Sequence, residues 1–275
     1  MTLVWASGYN GITDPDAQTY IAAVETADGQ AIEGDVALAI NDFVVGCKDD
    51  GIWDAIKASC ILAGARTLSG ALVPLKGTAP TNYNFVSGDY NRETGLKGDG
   101  STKYLDSNRN NDDDPRDSNH NAAWTSEINA GVILAVQGTA NVTGSNVLQL
   151  AGCRNRNNNI YSVTPVAGFF AHSRNTSSSF SVRNAGVTST VSRGSQAPSS
   201  QNLTLYHGSS PNGTHRLSFY SIGESIDLEK LDNRTTRLMN LISYSLASGL
   251  PDLSTMDLDA ASYIGAVYRA GGTLS

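Results

Sequence analysis

Along the first quarter of the chain, apolar residues recur at the three- and four-residue spacing of a helix face, and beyond it they shift to short alternating runs. Asp14 followed by Pro15 predicts a helix start, an acceptor at the cap with proline at the first helical position, and Gly29 predicts its stop. A second helix is predicted from about Asp35, because Val36, Ile40, Phe43 and Cys47 share one face, and Asp49, Asp50 and Gly51 break it. The same spacing at Trp53, Ile56 and Cys60 predicts a third helix that stops near Gly64.

From about Asn82 to Glu224, alternating runs separated by Gly, Asn and Ser predict ten strands, at 82–86, 102–106, 131–137, 146–152, 159–163, 167–172, 179–183, 188–193, 202–207 and 215–222. In the last of these, Leu217 and Phe219 are expected on one face and Ser218 and Tyr220 on the other. GVILAVQ is apolar on both faces and is expected at the centre of a sheet. Strands at this spacing predict a mainly β fold, a jelly-roll sandwich. A helix is then predicted from Asp227, with Leu228, Leu231, Leu238, Ile242 and Leu246 in one stripe and Pro251 beyond it. The organisation read from the chain is a helical module (1–64), a jelly-roll domain (70–225), a C-terminal helix (226–249) and an arm (250–275).

Charge sharpens the first boundary. Of the 26 acidic and 19 basic residues, 10 acidic and 2 basic fall within 1–64, so the helical module carries the net negative charge and the rest is nearly neutral. A net charge of −7 with scattered arginines argues against a nucleic-acid partner. No long apolar run or signal-like N-terminus occurs, so the sequence predicts no membrane insertion and synthesis without a signal peptide. Cys47, Cys60 and Cys153 lack a C-x-x-C spacing and are expected to be buried thiols.

Three candidate constellations bear on chemistry. Glu224, Asp227 and Glu229 suggest the carboxylate array of jelly-roll glycosidases, but the first gap of three residues puts Glu224 out of phase, and Asp227 is placed to cap a helix. Asp112, Asp113, Asp114 and Asp117 in the loop 106–121 offer oxygen ligands to calcium, without the spacing of an EF-hand; otherwise no cofactor is expected. Only 20 residues are aromatic, little support for a sugar-stacking platform.

FVVGCKDDGIWDAIKA (43–58), DYNRETGLKGDGSTKYLDSNRN (89–110) and RLSFYSIGESIDLEKLDNRTTRLMNLI (216–242) resemble segments of phage virion proteins that carry a concanavalin A-like, laminin-G-like jelly roll. The resemblance implies a non-enzymatic component of the phage particle, a tail fibre or baseplate element or a capsid decoration, made in the host cytoplasm. On this reading the partners are other virion proteins and further copies of the chain, a trimer by analogy with viral surface proteins. Assembly is expected through the terminal segments, with Trp53 and Ile56 anchoring the helical module and Tyr263, Ile264, Val267 and Tyr268 anchoring the arm. The alternatives are a module that binds host surface glycans and, after it, a glycosidase.

Overall fold

The computed structural model describes residues 11–136, 144–149, 152–208, 212–247 and 250–270. It is a mainly β fold in which two antiparallel sheets pack as a jelly-roll-like sandwich, with helices contributed by both ends of the chain. The helices are α1 (Pro15–Asp28), α2 (Gly34–Asp49), α3 (Leu68–Ala71), α4 (Leu228–Leu246) and α5 (Leu258–Arg269). The strands run β1 (Ile56–Ile61), β2 (Thr81–Tyr83), β3 (Tyr90–Asn91), β4 (Gly95–Lys97), β5 (Tyr104–Asn110), β6 (Asn119–Glu127) and β7 (Val132–Val136). They continue with β8 (Val147–Gln149), β9 (Gly152–Arg154), β10 (Gly168–Arg174), β11 (Phe180–Asn184), β12 (Val187–Val191), β13 (Asn202–Leu205) and β14 (Arg216–Gly223).

One sheet has the order β12-β11-β10-β6-β14-β4-β3, with β1 also pairing to β14; the other has the order β2-β5-β13-β7-β8-β9. The second contains β7, the described part of the expected 131–137 strand, at an interior position between β13 and β8. Leu105, Leu134, Leu148, Leu203 and Leu205 of that sheet meet Ala123, Phe170, Tyr220 and Ile222 of the first to form the sandwich core. A second core lies on the opposite face of the larger sheet, where Trp124, Phe169 and Phe219 are covered by Ile21, Ile40 and Phe43 from the N-terminal helices and by Leu231, Leu238 and Ile242 from α4. The molecule therefore has three layers, two of sheet and one of helix, with the larger sheet buried on both faces.

The capping signals act as expected. Asp14 adopts an extended backbone and its carboxylate accepts from the Asp16 and Ala17 amides, while Gly29 closes α1 with a left-handed φ of 69°. Asp227 caps α4 in the same way, through the Glu229 and Lys230 amides. The three cysteines are free and buried.

Several expectations are corrected. The third helix is a single 3-10 turn, Trp53–Ala55, followed by β1. Ile56 and Cys60 fit one helical face equally well, but each face of β1 meets a core, so Ile56 and Ile61 join the helical layer while Ala58 and Cys60 join the sandwich. Because β1 pairs with β14, the larger sheet incorporates chain from both sides of the expected boundary at Gly64. The segment 159–163 forms only an isolated bridge, Cys153 to Tyr161. The register of β14 against β6 shifts between Leu217 and Phe219, so Leu217 enters the sandwich core and Phe219 the helical core. Finally, the end of the expected polar loop is β6, paired on both sides within the larger sheet.

Candidate functional site

The residues singled out for assembly are already used inside the chain. Trp53 is 5% exposed and Ile56 1%, both in the helical core, so neither presents a surface to another subunit. The Trp53 indole donates to Asp16 Oδ2 at 3.1 Å, and Lys76 Nζ lies 4.4 Å from the ring centroid.

The arm likewise folds back as α5, which lies against α4 on its small residues. A Cβ added to Gly265 would sit 1.8 Å from the Asn240 carbonyl, which sets how closely the helices approach. Asn240 donates to the Ser262 hydroxyl at 3.3 Å, Arg237 bridges Asp42 and Asp259, and the Leu253 amide donates to Asp35. Ile264 packs partly buried against the helical core, and Val267 and Tyr268 are half-buried. Tyr263 faces outward, 71% exposed.

The aspartates proposed for calcium point to separate partners. Asp114 is buried and takes a bidentate contact from Arg109, with Nε at 3.0 Å. Asp113 accepts from the Asn110 amide and Asp117 from the Ser195 hydroxyl, while Asp112 is exposed. Among the described residues no group of three His, Cys, Asp or Glu side chains is placed to hold a metal ion. The carboxylates near α4 also divide their roles: Glu224 pairs with Lys57 at 3.0 Å, Asp227 caps the helix, and the Glu229 side chain has no partner among the described residues.

A concave feature of the surface lies where the helical layer stops short of the end of the larger sheet. There the outer face of the sheet ends in the register row Gly223, His120, Ser173 and Ser181, across β14, β6, β10 and β11. The connection from β14 to α4 crosses this row and is pinned to it. The Ser225 amide donates to Ser118 Oγ at 3.1 Å, and the Ile226 amide to Ser173 Oγ at 2.9 Å. His120 supports the same crossing from below, its Nδ1 donating to the Glu224 carbonyl at 2.6 Å and its Nε2 accepting from Ser221 Oγ at 2.7 Å. Burial holds the His120 imidazole down to about 4, so it is neutral there near pH 7.

Between this crossing, the first turn of α4 and strands β11 and β12 is a cleft of about 430 Å³. Its side is stiffened by a buried ion pair, Arg183 Nε to Asp232 Oδ2 at 2.6 Å, and Arg183 Nη1 also donates to the Thr188 hydroxyl of the lining at 3.0 Å. Asn175, Ser181 and Glu229, which also line it, have no side-chain partner among the described residues. Of the lining, Asp227 and Glu229 were sequence candidates, in the carboxylate array with Glu224, whereas Asn175, Ser181, Thr188 and the Arg183–Asp232 pair were not. They are ordinary surface types drawn from separate elements, and only the topology brings them together. A second feature missed from sequence is a cluster of rings on the outer face of the smaller sheet. Tyr83, 39% exposed, stacks on Tyr104 at 4.2 Å, and His207 meets Tyr104 edge-on at 4.7 Å. The stack covers one face of Tyr83 and leaves that side chain partly exposed.

No protein-family model and no curated protein matches the chain. Solved structures similar to it include the binding domain of botulinum neurotoxin serotype D, with 12% identity, 66% of this chain and 51% of that chain covered, and a TM-score of 0.43. Domain 4 of AbnA, a GH43 extracellular arabinanase from Geobacillus stearothermophilus solved in complex with arabinotriose, matches with 11% identity, 57% and 82% coverage, and a TM-score of 0.34. The enzymatically active domain of bacteriophage CBA120 tailspike protein 2 matches with 16% identity, 60% and 30% coverage, and a TM-score of 0.34. The match spans about half the length of the neurotoxin domain and under a third of the tailspike chain.

Proposed function

We propose that this chain is a non-enzymatic structural component of a bacteriophage virion, as a tail fibre or baseplate element or a capsid decoration. One observation carries the reading. The three stretches that resemble phage virion proteins lie far apart in the sequence, yet they fold as one block. β14, from the third stretch, pairs with β1 at its end and with β4, from the second, at its beginning. In the helical layer, α2, whose last turns belong to the first stretch, lies against α4 from the third; its cap Asp50 pairs with Arg234 at 2.7 Å, and Lys57 reaches Glu224 beside β1. The three stretches thus form one continuous block across the larger sheet and the helical layer, the arrangement a shared framework requires.

On this reading Trp53 and Ile56 hold the framework together, and attachment to neighbouring virion subunits falls to the outer face of α5, where Tyr263 stands exposed. The test is quantitative mass spectrometry of density-purified particles of the phage that encodes the chain. The expected result is the chain at a fixed multiple per particle, and a Tyr263→Asp chain that folds but is under-represented in particles. A chain found only in the lysate, absent from purified particles, overturns the proposal.

A further inference from the structure

We infer that the cleft between β11, β12 and the start of α4 is a binding site for a neutral sugar unit. Its volume of about 430 Å³ falls in the range of small-ligand sites. Its lining is dominated by hydroxyl, carboxamide and carboxylate groups, with Ile226 and Leu228 as the apolar exceptions, and no aromatic ring or basic side chain takes part. That composition decides the ligand class. Without a ring there is no stacking platform for a base or an aromatic ligand. With Asp227 and Glu229 as its charged groups among the described residues, the cleft disfavours phosphates, sulfates and uronates. What remains complementary is a compact neutral molecule with several adjacent donors and acceptors, which describes a pyranose.

The hydrogen-bonding capacity of the lining is divided in the way such a ligand requires. Ser173 and Thr188 already accept from the Ile226 amide and from Arg183, so they fix the shape of the cleft. Among the described residues, Asn175, Ser181 and Glu229 have no other side-chain partner. Two neighbouring sugar hydroxyls can donate to the Glu229 carboxylate, and the Asn175 amide and Ser181 hydroxyl can donate to others. The Arg183–Asp232 pair beside them is closed within the protein and holds the lining without joining the ligand. The inference rests on the virion reading only for the source of the sugar, a polysaccharide of the host envelope.

The test uses the purified full chain and titration calorimetry with four neutral trisaccharides, of glucose (α- and β-linked), galactose and mannose, and with trigalacturonate as the acidic counterpart. At least one neutral trisaccharide is expected to bind. Glu229→Ala and Asn175→Ala should each weaken it about ten-fold or more, since a hydrogen bond to a charged or unpaired group is lost, while thermal unfolding stays as in the parent. Binding by trigalacturonate in preference, binding unaffected by both substitutions, or no binding of any neutral probe at millimolar concentration overturns the inference. So does a calorimetric signal with calcium alone that Glu229→Ala removes, which assigns the cleft to a cation. None of these results changes whether the chain is found in particles, so the two proposals fail separately.

Discussion

Lowering the pH from about 6.5 towards 4 is expected to remove about 1.4 kcal/mol of stability per pH unit for each of two buried histidines, together about 4 kcal/mol by pH ~5. Burial holds His120 down to about 4 and His172 to about 3, against 6.5 for a free imidazole. Between these values the unfolded chain binds a proton on each ring that the folded chain does not, so stability falls as the pH falls. The groups around the rings fit this direction. His172 lies on the sandwich side of β10, where Nδ1 accepts from Asn155 Nδ2 at 2.8 Å, and the charges of Arg174 and Arg156 add to the cost of protonating it. His120 has Asp114 and Arg109 nearby with opposed effects, so desolvation decides. Carboxylates held low, such as Asp99 at about 2, lose their contribution only below their unfolded value of 3.8, so the two windows separate. Urea unfolding at a series of pH values checks the slope. His120→Gln and His172→Gln should each flatten it, and a stability constant between about pH 6.5 and 4.5 would refute the assignment.

Phe219→Ala is expected to cost about 3–5 kcal/mol, a large share of the ~5–15 kcal/mol of a typical domain. Phe219 leaves β14 on the helical side, fully buried, and meets Phe43 of α2 edge-on, with ring centroids 5.6 Å apart at 67°. The cost includes the cavity left between sheet and helices, because β14 is held by neighbours on both sides and cannot move into it. The same contact predicts that helices and sandwich unfold together. Far-ultraviolet circular dichroism and tryptophan fluorescence should give coincident transitions in both parent and variant, and Phe43→Ala with Phe219→Ala should cost less together than the two alone. A helical transition that precedes loss of the sandwich would contradict a single cooperative unit.

What could be read from sequence was what is decided locally. Asp14 with Pro15, Gly29, and Asp227 before a leucine stripe mark helix ends by backbone chemistry that tertiary structure does not override. Most alternating strands were legible for the same reason, although the expected strand 146–152 overlaps both β8 and β9 and 159–163 forms only a bridge. β1 was not, because its Ile56 and Cys60 suit a helix or a strand buried on both faces, and only its pairing with β14 decides. β6 was hidden more deeply. Asn119, His120 and Asn121 read as a solvated loop, yet they lie in the middle of the larger sheet. Asn119 Oδ1 accepts from Asn146 and Asn155, and Asn155 in turn receives Arg174, so distant polar residues satisfy part of this strand in the interior. The same non-locality hid the cleft. Serine, asparagine and glutamate carry no signal singly, and it is the end of the helical layer that leaves them facing one space.

The most direct measurement for the virion reading is gold labelling of intact, density-purified phage particles with an antibody raised against the folded chain. The proposal predicts label at one recurrent position on the particle, at the head, neck or tail. Unlabelled particles, with the chain recovered by the same antibody only from the soluble lysate, would contradict it.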